Sequence, residues 1–190
     1  MTNIKTLTCL TREISDQNAL IFLAGEAGVG KSTIAKKIQK SLKHCTIIDK
    51  DEATSVLVNS LLKSYGQPAF DRESAIYLEK VKPLEYLQLD SILKNGLIND
   101  TSAIICAPFF DNFFNAEWIQ EMKDFSKEKD LLIYFIVVKA PPETIHERLI
   151  SRNAVRDTFK LKYYSEYRAA TDLILSNMKS LDFINVIDNS

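Results

Sequence analysis

Residues 24–33 have the sequence AGEAGVGKST, and this stretch decides the fold. Within it, Gly25-Glu26-Ala27-Gly28-Val29-Gly30-Lys31-Ser32 fits the pattern G-x-x-x-x-G-K-[ST]. Glycines let the backbone curl so that successive N–H groups can point inward at phosphate oxygens. A helix that follows such a loop presents its unpaired N–H groups and its positive dipole end to the same phosphates. The pattern therefore predicts a loop that binds nucleotide phosphates.

The neighbouring residues supply the strand and the helix that such a loop requires. ALIFLA (19–24) is a short apolar run typical of a buried strand, and Ile34, Ile38 and Leu42 form an apolar stripe at helical spacing. Lys31 can reach the β- and γ-phosphates, and the Ser32 hydroxyl can bind Mg²⁺. The predicted nucleotide-binding residues of the loop are Gly25, Glu26, Ala27, Gly28, Val29, Gly30, Lys31, Ser32 and Thr33.

The composition is that of an ordinary water-soluble globular protein. The chain has 190 residues, 46% hydrophobic and 26% charged, with a net charge of −1, so we expect one domain spanning residues 1–190. Near-neutrality argues against a nucleic-acid binder that works by bulk charge. Cys9, Cys45 and Cys106 are too far apart for a metal motif or a disulfide framework, and Cys106 sits in an apolar run typical of core packing.

The same sequence features predict the compartment. The N-terminal residues show no signal-peptide pattern, and the apolar runs are far shorter than the ~20 residues that cross a bilayer. We therefore expect a cytoplasmic protein that makes no membrane contact.

Apolar runs alternate with helical patterns along the chain. We predict strands at 19–24, 45–49, 101–107, 131–138 and 183–187. Helices are expected at 52–63, at 72–95 with an interruption at Pro83, at 116–128, after Pro141, and on a stripe formed by Tyr163, Tyr167, Ala170, Ile174 and Met178. Such alternation indicates an α/β fold: a doubly wound parallel sheet with helices on both faces, and ligands at the carboxyl ends of the strands.

The second predicted strand ends in Asp49-Lys50-Asp51. In a parallel sheet this end shares a rim with the phosphate loop, and carboxylates two residues apart on an extended segment point to opposite sides. One carboxylate could face the metal while the other faces an acceptor hydroxyl. Alternatively, an aspartate here caps the helix that begins near Glu52, and the two roles are compatible.

Three arginines lie four residues apart after the fourth predicted strand: Arg148, Arg152 and Arg156. A continuous helix would place them on one face. That face is either a solvated basic surface or the inner side of a lid that lays guanidinium groups on phosphates. In the second case Asn153 and Asp157 would shape the turn, and Lys160 and Lys162 could add phosphate contacts.

Taken together, the loop, the Asp49–Asp51 strand end, the Ala107-Pro108-Phe109 segment and the arginine series resemble the P-loop small-molecule kinases. This group includes shikimate and gluconate kinases, chloramphenicol phosphotransferase-like proteins, zeta-toxin-like ATP-binding proteins of the AAA_33 type and polynucleotide 5′-kinase domains. The resemblance spans about residues 19–183. It implies a five-stranded sheet of order 2-3-1-4-5 and a lid at approximately residues 152–162.

The resemblance also implies roles for individual residues. Asp51 would act as the base or orienter for the acceptor hydroxyl, and Asp49 with Ser32 would hold Mg²⁺ and its water. Lys31 and Arg152 would act with Asp51 in catalysis, and Arg148, Arg152 and Arg156 would contact the nucleotide. ATP and Mg²⁺ are the implied cofactors.

The third predicted strand departs from many nucleotide hydrolases, because Ile104-Ile105-Cys106-Ala107 contains no acid. The departure disfavours a switch-type GTPase or a motor ATPase, and the next acid that could serve the metal is Asp111. The aromatic residues of the following loop either form an apolar wall for an acceptor or pack under the next helix: Phe109, Phe110, Phe113 and Phe114.

The segment between the second and third strands is where these kinases bind the acceptor. Arg72, Lys80, Lys82 and Tyr86 lie there, and a basic side chain among them could recognise an anionic substrate, although each alone is more often a solvated residue. We interpret neither His44 nor His146 as catalytic.

The leading functional hypothesis is an ATP-dependent kinase that phosphorylates a hydroxyl of a small molecule. The alternatives are a nucleotide-dependent regulatory or partner-binding ATPase and a polynucleotide 5′-hydroxyl kinase. The polynucleotide kinase would need a basic groove, for which Lys36, Lys37, Lys40 and Lys43 supply only a surface strip. The sequence identifies neither the acceptor, nor the preference for ATP over GTP, nor the oligomeric state.

Overall fold

The computed structural model describes residues 3–4, 6–15, 17–96, 101–178 and 180–190. Within these residues six strands form one sheet: β1 (Asn3–Ile4), β2 (Ala19–Ala24), β3 (Cys45–Asp49), β4 (Ser102–Cys106), β5 (Leu132–Lys139) and β6 (Ile184–Asp188). The order is β1-β6-β5-β2-β4-β3, and every neighbouring pair is parallel. The five predicted strands therefore take the expected order 2-3-1-4-5. The two-residue β1, too short for a periodic signal, is added at the edge beside β6.

Helices connect the strands and cover both faces of the sheet. The α-helices are α1 (Leu7–Ile14), α2 (Lys31–Gln39), α3 (Lys50–Ser64), α4 (Lys82–Gly96), α5 (Phe110–Phe114), α6 (Ala116–Glu128), α7 (Pro142–Arg152), α8 (Thr158–Lys162) and α9 (Tyr164–Met178). A π-helical turn at Tyr77–Val81 precedes α4, and a 3₁₀ turn at Val155–Asp157 precedes α8. Within the described residues, no helix has both the length and the apolar character needed to cross a membrane.

The central strand β2 shows why both faces are covered. All six of its residues are buried. Leu20 and Phe22 belong to the hydrophobic cluster on one face, whereas Ile21 and Leu23 belong to the cluster on the other. Alternate residues of a strand point to opposite faces, so a wholly apolar strand needs a packed layer on each side. The doubly wound prediction is confirmed.

Pro83 lies inside a continuous helical segment rather than at a break. The backbone widens into the π turn just before it, and the Lys82 N–H donates to the Tyr77 carbonyl, five residues back. Proline has no N–H to donate and its ring crowds the preceding turn, so a local change of helical pitch accommodates it. The predicted interruption at Pro83 is thus a π turn.

The buried side of α9 differs from the predicted stripe. Thr171, Leu175 and Met178 are buried, whereas Tyr163 and Ala170 are exposed. The predicted stripe is therefore correct at Met178, which is buried, and at Ile174, which packs against the core, but wrong at Ala170 and at Tyr163, which precedes the helix.

The aromatic loop after β4 is divided between the core and the surface. Phe109 and Phe113 are 1% exposed, with their rings 5.8 Å apart, and both contact the Trp118 ring. Phe110 lines the cavity described below, whereas Phe114 is 47% exposed. The prediction of packing under the following helix is therefore correct for Phe109 and Phe113. Of the four phenylalanines, only Phe110 lies where it could form an apolar wall for an acceptor.

Adjacent phenylalanines on α5 provide a test of this division. We expect Phe113→Ala to lower the free energy of unfolding by about 3–5 kcal/mol, because it removes a fully buried ring and leaves a cavity. Phe114→Ala should cost less than about 1 kcal/mol, since about half of its surface already faces water. Urea denaturation measures both values, and equal losses would contradict the described packing.

Candidate active site

One cavity of about 510 Å³ lies at the carboxyl ends of the strands. Its lining includes the phosphate loop and the junction between β3 and α3. The π turn before α4 and the stretch from α7 to α8 also contribute lining residues. Doubly wound sheets bind ligands at this rim, and the cavity is where the sequence analysis expects one.

The phosphate loop connects β2 to α2 in a conformation that needs glycine. Gly25 has φ 143° and Gly30 has φ 95°, both in the range that glycine adopts without strain. A Cβ on Gly25 would lie 2.8 Å from the Val138 carbonyl oxygen, so no side chain fits there. The N–H groups of Thr33 and Ile34 donate to the Gly30 carbonyl at 3.0 Å, so α2 begins directly at the loop. The N-terminus of a helix favours a bound anion, and the loop geometry is compatible with phosphate.

Lys31 is the cation nearest to this loop. Its ammonium donates to the carbonyl oxygens of Gly25 and Glu26, at 2.7 and 2.9 Å. Desolvation lowers the pKa of Lys31, and the charges of Asp49 and Asp51 oppose that effect. The ammonium therefore bonds only to neutral oxygens while it lies within reach of two carboxylates and the loop.

Ser32 and Asp49 bring two oxygen donors together. The Ser32 hydroxyl donates to Asp49 Oδ2 at 3.2 Å, and Asp49 Oδ1 accepts the Asp51 N–H at 3.0 Å, which caps α3. One oxygen of Asp49 therefore caps α3, and the other lies beside the Ser32 hydroxyl. Hydroxyl and carboxylate oxygens suit Mg²⁺, which usually combines one or two such ligands with waters and substrate phosphates. The donor set fits a magnesium ion.

Asp51 lies in the first turn of α3, so the expected extended geometry is wrong. The carboxylates of Asp49 and Asp51 nevertheless have different partners. Asp51 Oδ1 is 3.1 Å from Lys50 Nζ, and Asp51 Oδ2 is 2.6 Å from Arg156 NH1. Desolvation raises the pKa of Asp51, but the charges of Lys50 and Arg156 outweigh it and leave the pKa below its ordinary value. Asp51 is ionised at neutral pH.

Sequence reasoning missed a buried polar network behind Asp51. Lys50 Nζ also donates to Glu85 Oε1 at 2.7 Å, and Glu85 accepts hydrogen bonds from Thr54 and Tyr77 at 2.9 and 2.6 Å. The side chains of Lys50 and Glu85 are 7% and 1% exposed. A signal was present, because Glu85 occupies one position of the apolar stripe on α4. That stripe is Val81, Glu85, Leu89 and Leu93.

The three arginines share the cavity without sharing a helix. α7 ends at Arg152, Asn153 takes a left-handed conformation with φ 46°, and Arg156 lies in the 3₁₀ turn. The chain therefore turns at Asn153 as expected, whereas the single helical face is wrong. Arg148, Arg152 and Arg156 all line the cavity nonetheless.

Each arginine has a different partner. Arg148 donates to the carbonyl oxygens of Val29 and Asn189, at 3.3 and 3.2 Å, and so braces the loop. Arg152 pairs with the buried carboxylate of Asp157, with Nε 2.9 Å from Oδ2. The contribution of Asn189, which also donates to the Val29 carbonyl, gave no sequence signal.

A further ion pair involves the loop residue Glu26. Glu26 is buried and forms an ion pair with Arg168 of α9, which also pairs with Asp172. Desolvation raises the pKa of Glu26, and Arg168 opposes the rise. The sequence pattern included Glu26 as a loop residue but gave no indication of its partner 142 positions away.

Past Asp51, the cavity wall combines aromatic, apolar and basic groups. Tyr77, Leu78, Tyr86 and Phe110 line it together with four charged residues: Arg72, Glu73, Lys82 and Lys160. Arg72, Lys82, Tyr86 and Lys160 are brought to the cavity as predicted.

Other predicted residues lie elsewhere. Gly25 and Val29 form the back of the loop, with Val29 in the core, and neither lines the cavity. Lys80, Lys162, His44 and Asp111 are also absent from the lining, and Asp111 pairs with Lys82 at 2.6 Å. The ring of His146 packs against Tyr164 with the centroids 4.3 Å apart.

The three cysteines differ in burial, so their reactivity tests the packing at the end of β4. Burial raises the pKa of Cys106 to about 12 and that of Cys45 to about 11, whereas Cys9 is exposed. Because alkylation requires the thiolate, we expect iodoacetamide at pH 8 to modify Cys9 first and Cys106 last. Peptide mass spectrometry follows each site over time. Modification of Cys106 as fast as Cys9 would contradict the burial of the β4 end.

Comparison with known proteins agrees with the fold and the loop. A family model described as an AAA domain, AAA_33, matches residues 20–171, and the chain belongs to this family. By sequence, no curated protein matches the chain.

Several solved structures share the fold. A gluconokinase from Sinorhizobium meliloti 1021 matches with TM-score 0.53 and 13% identity, covering 90% of this chain and 82% of the other. TT1252 from Thermus thermophilus gives 0.52 and 18%, with 92% and 90% covered. The Deinococcus radiodurans tunicamycin resistance protein gives 0.51 and 16%, with 90% and 86% covered. The chain thus has a P-loop kinase-like fold.

Proposed function

We propose that this protein is an ATP-dependent kinase that transfers the γ-phosphoryl group to a hydroxyl of a small molecule. The observation that carries the proposal is the extent of the cavity. Its lining includes the phosphate loop and Asp51 and also residues outside the loop, among them Tyr77, Leu78 and Phe110. A cavity of about 510 Å³ that contains both sets supports a second substrate beside the nucleotide, which a protein that only binds nucleotide does not require.

The nucleotide end of the cavity is assigned to ATP. The loop N–H groups and Lys31 bind the phosphates, and Arg148 braces the loop from the Val29 side. We assign residues 152–162 to a lid within one domain. Closure of the lid brings Arg152 and Arg156 to the triphosphate, where guanidinium groups neutralise charge that develops during transfer.

Asp51 orients the acceptor and takes its proton. The acceptor oxygen forms a bond to the γ-phosphorus, the bond to the β–γ bridging oxygen breaks, ADP leaves, and the hydroxyl proton passes to Asp51. A carboxylate of lowered pKa suffices, because loose phosphoryl transfer depends mainly on alignment and charge neutralisation. Ser32 and Asp49 would hold Mg²⁺, which supplies charge neutralisation at the phosphates when bound.

A transfer screen tests the proposal directly. Labelled ATP is incubated with the protein and pooled hydroxyl metabolites, nucleosides or oligonucleotides, and labelled products are separated. We expect a labelled small molecule rather than a labelled oligonucleotide. Lys36, Lys37, Lys40 and Lys43 are exposed, and none of them lines the cavity. Absence of transfer to every pool would contradict a kinase, and label on the oligonucleotides alone would contradict a small-molecule acceptor.

Two substitutions separate binding from transfer. We expect Asp51→Asn to lower the transfer rate about 10²–10⁴-fold, as loss of a general base does, while the affinity for ATP stays within about twofold. Lys31→Ala should weaken both. Asp111→Asn is the control, because that carboxylate does not line the cavity. Transfer by Asp51→Asn at the wild-type rate would refute the assignment of the base.

Ser32 provides the test of the metal assignment. We expect Ser32→Ala to raise the Mg²⁺ concentration that gives half-maximal activity, because one of the two protein oxygens is lost. Removal of the metal with EDTA should abolish transfer in both proteins. An unchanged Mg²⁺ titration in Ser32→Ala would contradict the role of this hydroxyl.

A further inference from the structure

The cations that line the cavity fall into two groups according to their partners. Five of the eight have a carboxylate within ion-pair distance, namely Lys50, Lys82, Arg152, Arg156 and Lys160. The other three bond to neutral oxygens only among the residues that the structure describes, namely Lys31, Arg148 and Arg72. A lysine or arginine whose hydrogen bonds go only to neutral oxygens can still form the stronger, charge-assisted hydrogen bond to an anionic ligand.

Lys31 and Arg148 are accounted for by the proposed function. Both contact the phosphate loop: Lys31 bonds to the carbonyls of Gly25 and Glu26, and Arg148 bonds to that of Val29. The anionic partner of both cations is the triphosphate of the proposed nucleotide. Arg72 is not accounted for in this way. It lies between α3 and the π turn, in the part of the cavity wall that contains Tyr77 and Leu78.

Arg72 is held in place rather than left free. Its NH1 donates to the carbonyl oxygens of Ala69 and Asp71 at 3.1 and 2.8 Å, and its NH2 lies 3.4 Å from Asn59 Oδ1. The guanidinium carbon is 5.4 Å from the centroid of the Tyr77 ring. A planar guanidinium held by such contacts loses little conformational freedom when it binds an oxyanion.

The carboxylates of the neighbouring acids bond to other groups, although the charge of Arg72 does act on Asp71: desolvation raises the pKa of Asp71, and its hydrogen bonds together with Arg72 outweigh that rise. Asp71 Oδ1 accepts the backbone N–H groups of Glu73 and Ser74 at 2.9 and 3.0 Å, which begins the helical segment. Glu73 Oε1 pairs with Lys160 of α8 at 2.8 Å, and this contact joins the proposed lid to the residue next to Arg72. An anion at Arg72 would therefore bind beneath the lid, in the same enclosure as the acceptor.

We propose that Arg72 binds an oxyanion on the acceptor, so that the substrate is an alcohol that also bears a carboxylate or a phosphate group. The inference rests on the proposed function for the identity of the ligand as an acceptor. The hydroxyl faces Asp51, and the anionic group is anchored at Arg72. A neutral alcohol would leave the half-buried Arg72 guanidinium with hydrogen bonds to neutral oxygens only, among the residues that the structure describes.

Binding of simple anions tests the site without knowledge of the acceptor. The protein is first saturated with Mg²⁺ and a non-hydrolysable ATP analogue, which occupies the phosphate loop. Inorganic phosphate and malonate are then titrated separately, with calorimetry as the readout. We expect one of the two to bind at one further site, and Arg72→Gln to weaken that binding about tenfold or more. The anion that binds distinguishes a phosphate from a carboxylate substituent.

Control variants exclude indirect effects. Arg12→Gln removes an exposed arginine of α1 outside the cavity and should leave anion binding unchanged. Arg72→Lys keeps the charge but loses the planar fork, so we expect intermediate affinity. Melting temperatures show whether each variant is folded. Equal anion binding by wild type and a folded Arg72→Gln, or no anion binding by wild type, overturns the proposal.

The transfer screen separates this proposal from the proposed function. Pools of hydroxy acids and sugar or nucleoside monophosphates are compared with pools of neutral sugars and nucleosides. Transfer to an anionic pool, with KM raised at least tenfold by Arg72→Gln and kcat changed less, supports both. Transfer to neutral alcohols alone overturns the anionic acceptor and leaves the kinase intact. Failure of the wild-type protein to bind the ATP analogue would instead refute the proposed kinase function.

Discussion

The position of the phosphate loop depends on how its first residue is fixed between two strand ends. The Gly25 N–H donates to the Pro108 carbonyl beyond β4 at 3.3 Å, and its Cα faces the Val138 carbonyl of β5, where a Cβ would lie at 2.8 Å. β2 pairs with both of these strands along its length. The loop therefore starts from a strand that is held on both sides by its neighbours. A site that must hold reacting atoms to within a fraction of an ångström needs such support.

Charge balance then distinguishes the two cavity arginines of the proposed lid, Arg152 and Arg156. The side chains of Arg156 and Asp51 are 37% and 38% exposed, so their ion pair is worth little, about 0–1 kcal/mol, and a triphosphate can compete for Arg156. Asp157, the partner of Arg152, is 1% exposed. Removal of Arg152 would leave a buried carboxylate unpaired, which is costly. In the proposed closure, Arg156 can therefore leave Asp51 for the phosphates at little cost, whereas Arg152 must reach them while it stays paired with Asp157.

Movement of Arg156 from Asp51 to the nucleotide would also change the charges around Asp51. In the structure Asp51 is paired with both Lys50 and Arg156, which lower its pKa. Transfer of Arg156 to the nucleotide would remove one of these charges and free one carboxylate oxygen for an acceptor hydroxyl. Binding of the nucleotide and readiness of the proposed base would then be linked through a single arginine.

The parts of this molecule that sequence predicts well are those set by neighbouring residues. The loop, β2 and α2 lie within 21 consecutive residues, and their apolar spacing and glycines specify them locally. The position of Asp49 at a strand end was predicted for the same reason. Asp51 was misplaced onto an extended segment because the helix starts two residues earlier than its apolar pattern, where the Asp49 cap allows it.

The parts that sequence did not predict depend on tertiary partners. Glu26 pairs with Arg168, and Glu85 with Lys50, across 142 and 35 positions, and no local spacing specifies such pairs. The π turn before Pro83 is similar, because proline alone indicates a disturbance but not its form. Only Glu85 gave a usable signal, as a charge within an apolar stripe.

This division explains why the nucleotide end of the site is easier to interpret than the acceptor end. Phosphates are bound largely by backbone N–H groups, whose placement follows from a short motif. The wall that we assign to the acceptor is built instead from side chains on the π turn and the residues before it, where Tyr77 bonds to Glu85 and packs against Arg72. One side chain can change there while the backbone of the loop stays the same. The fold that this chain shares with proteins at 13–18% identity therefore does not specify a substrate.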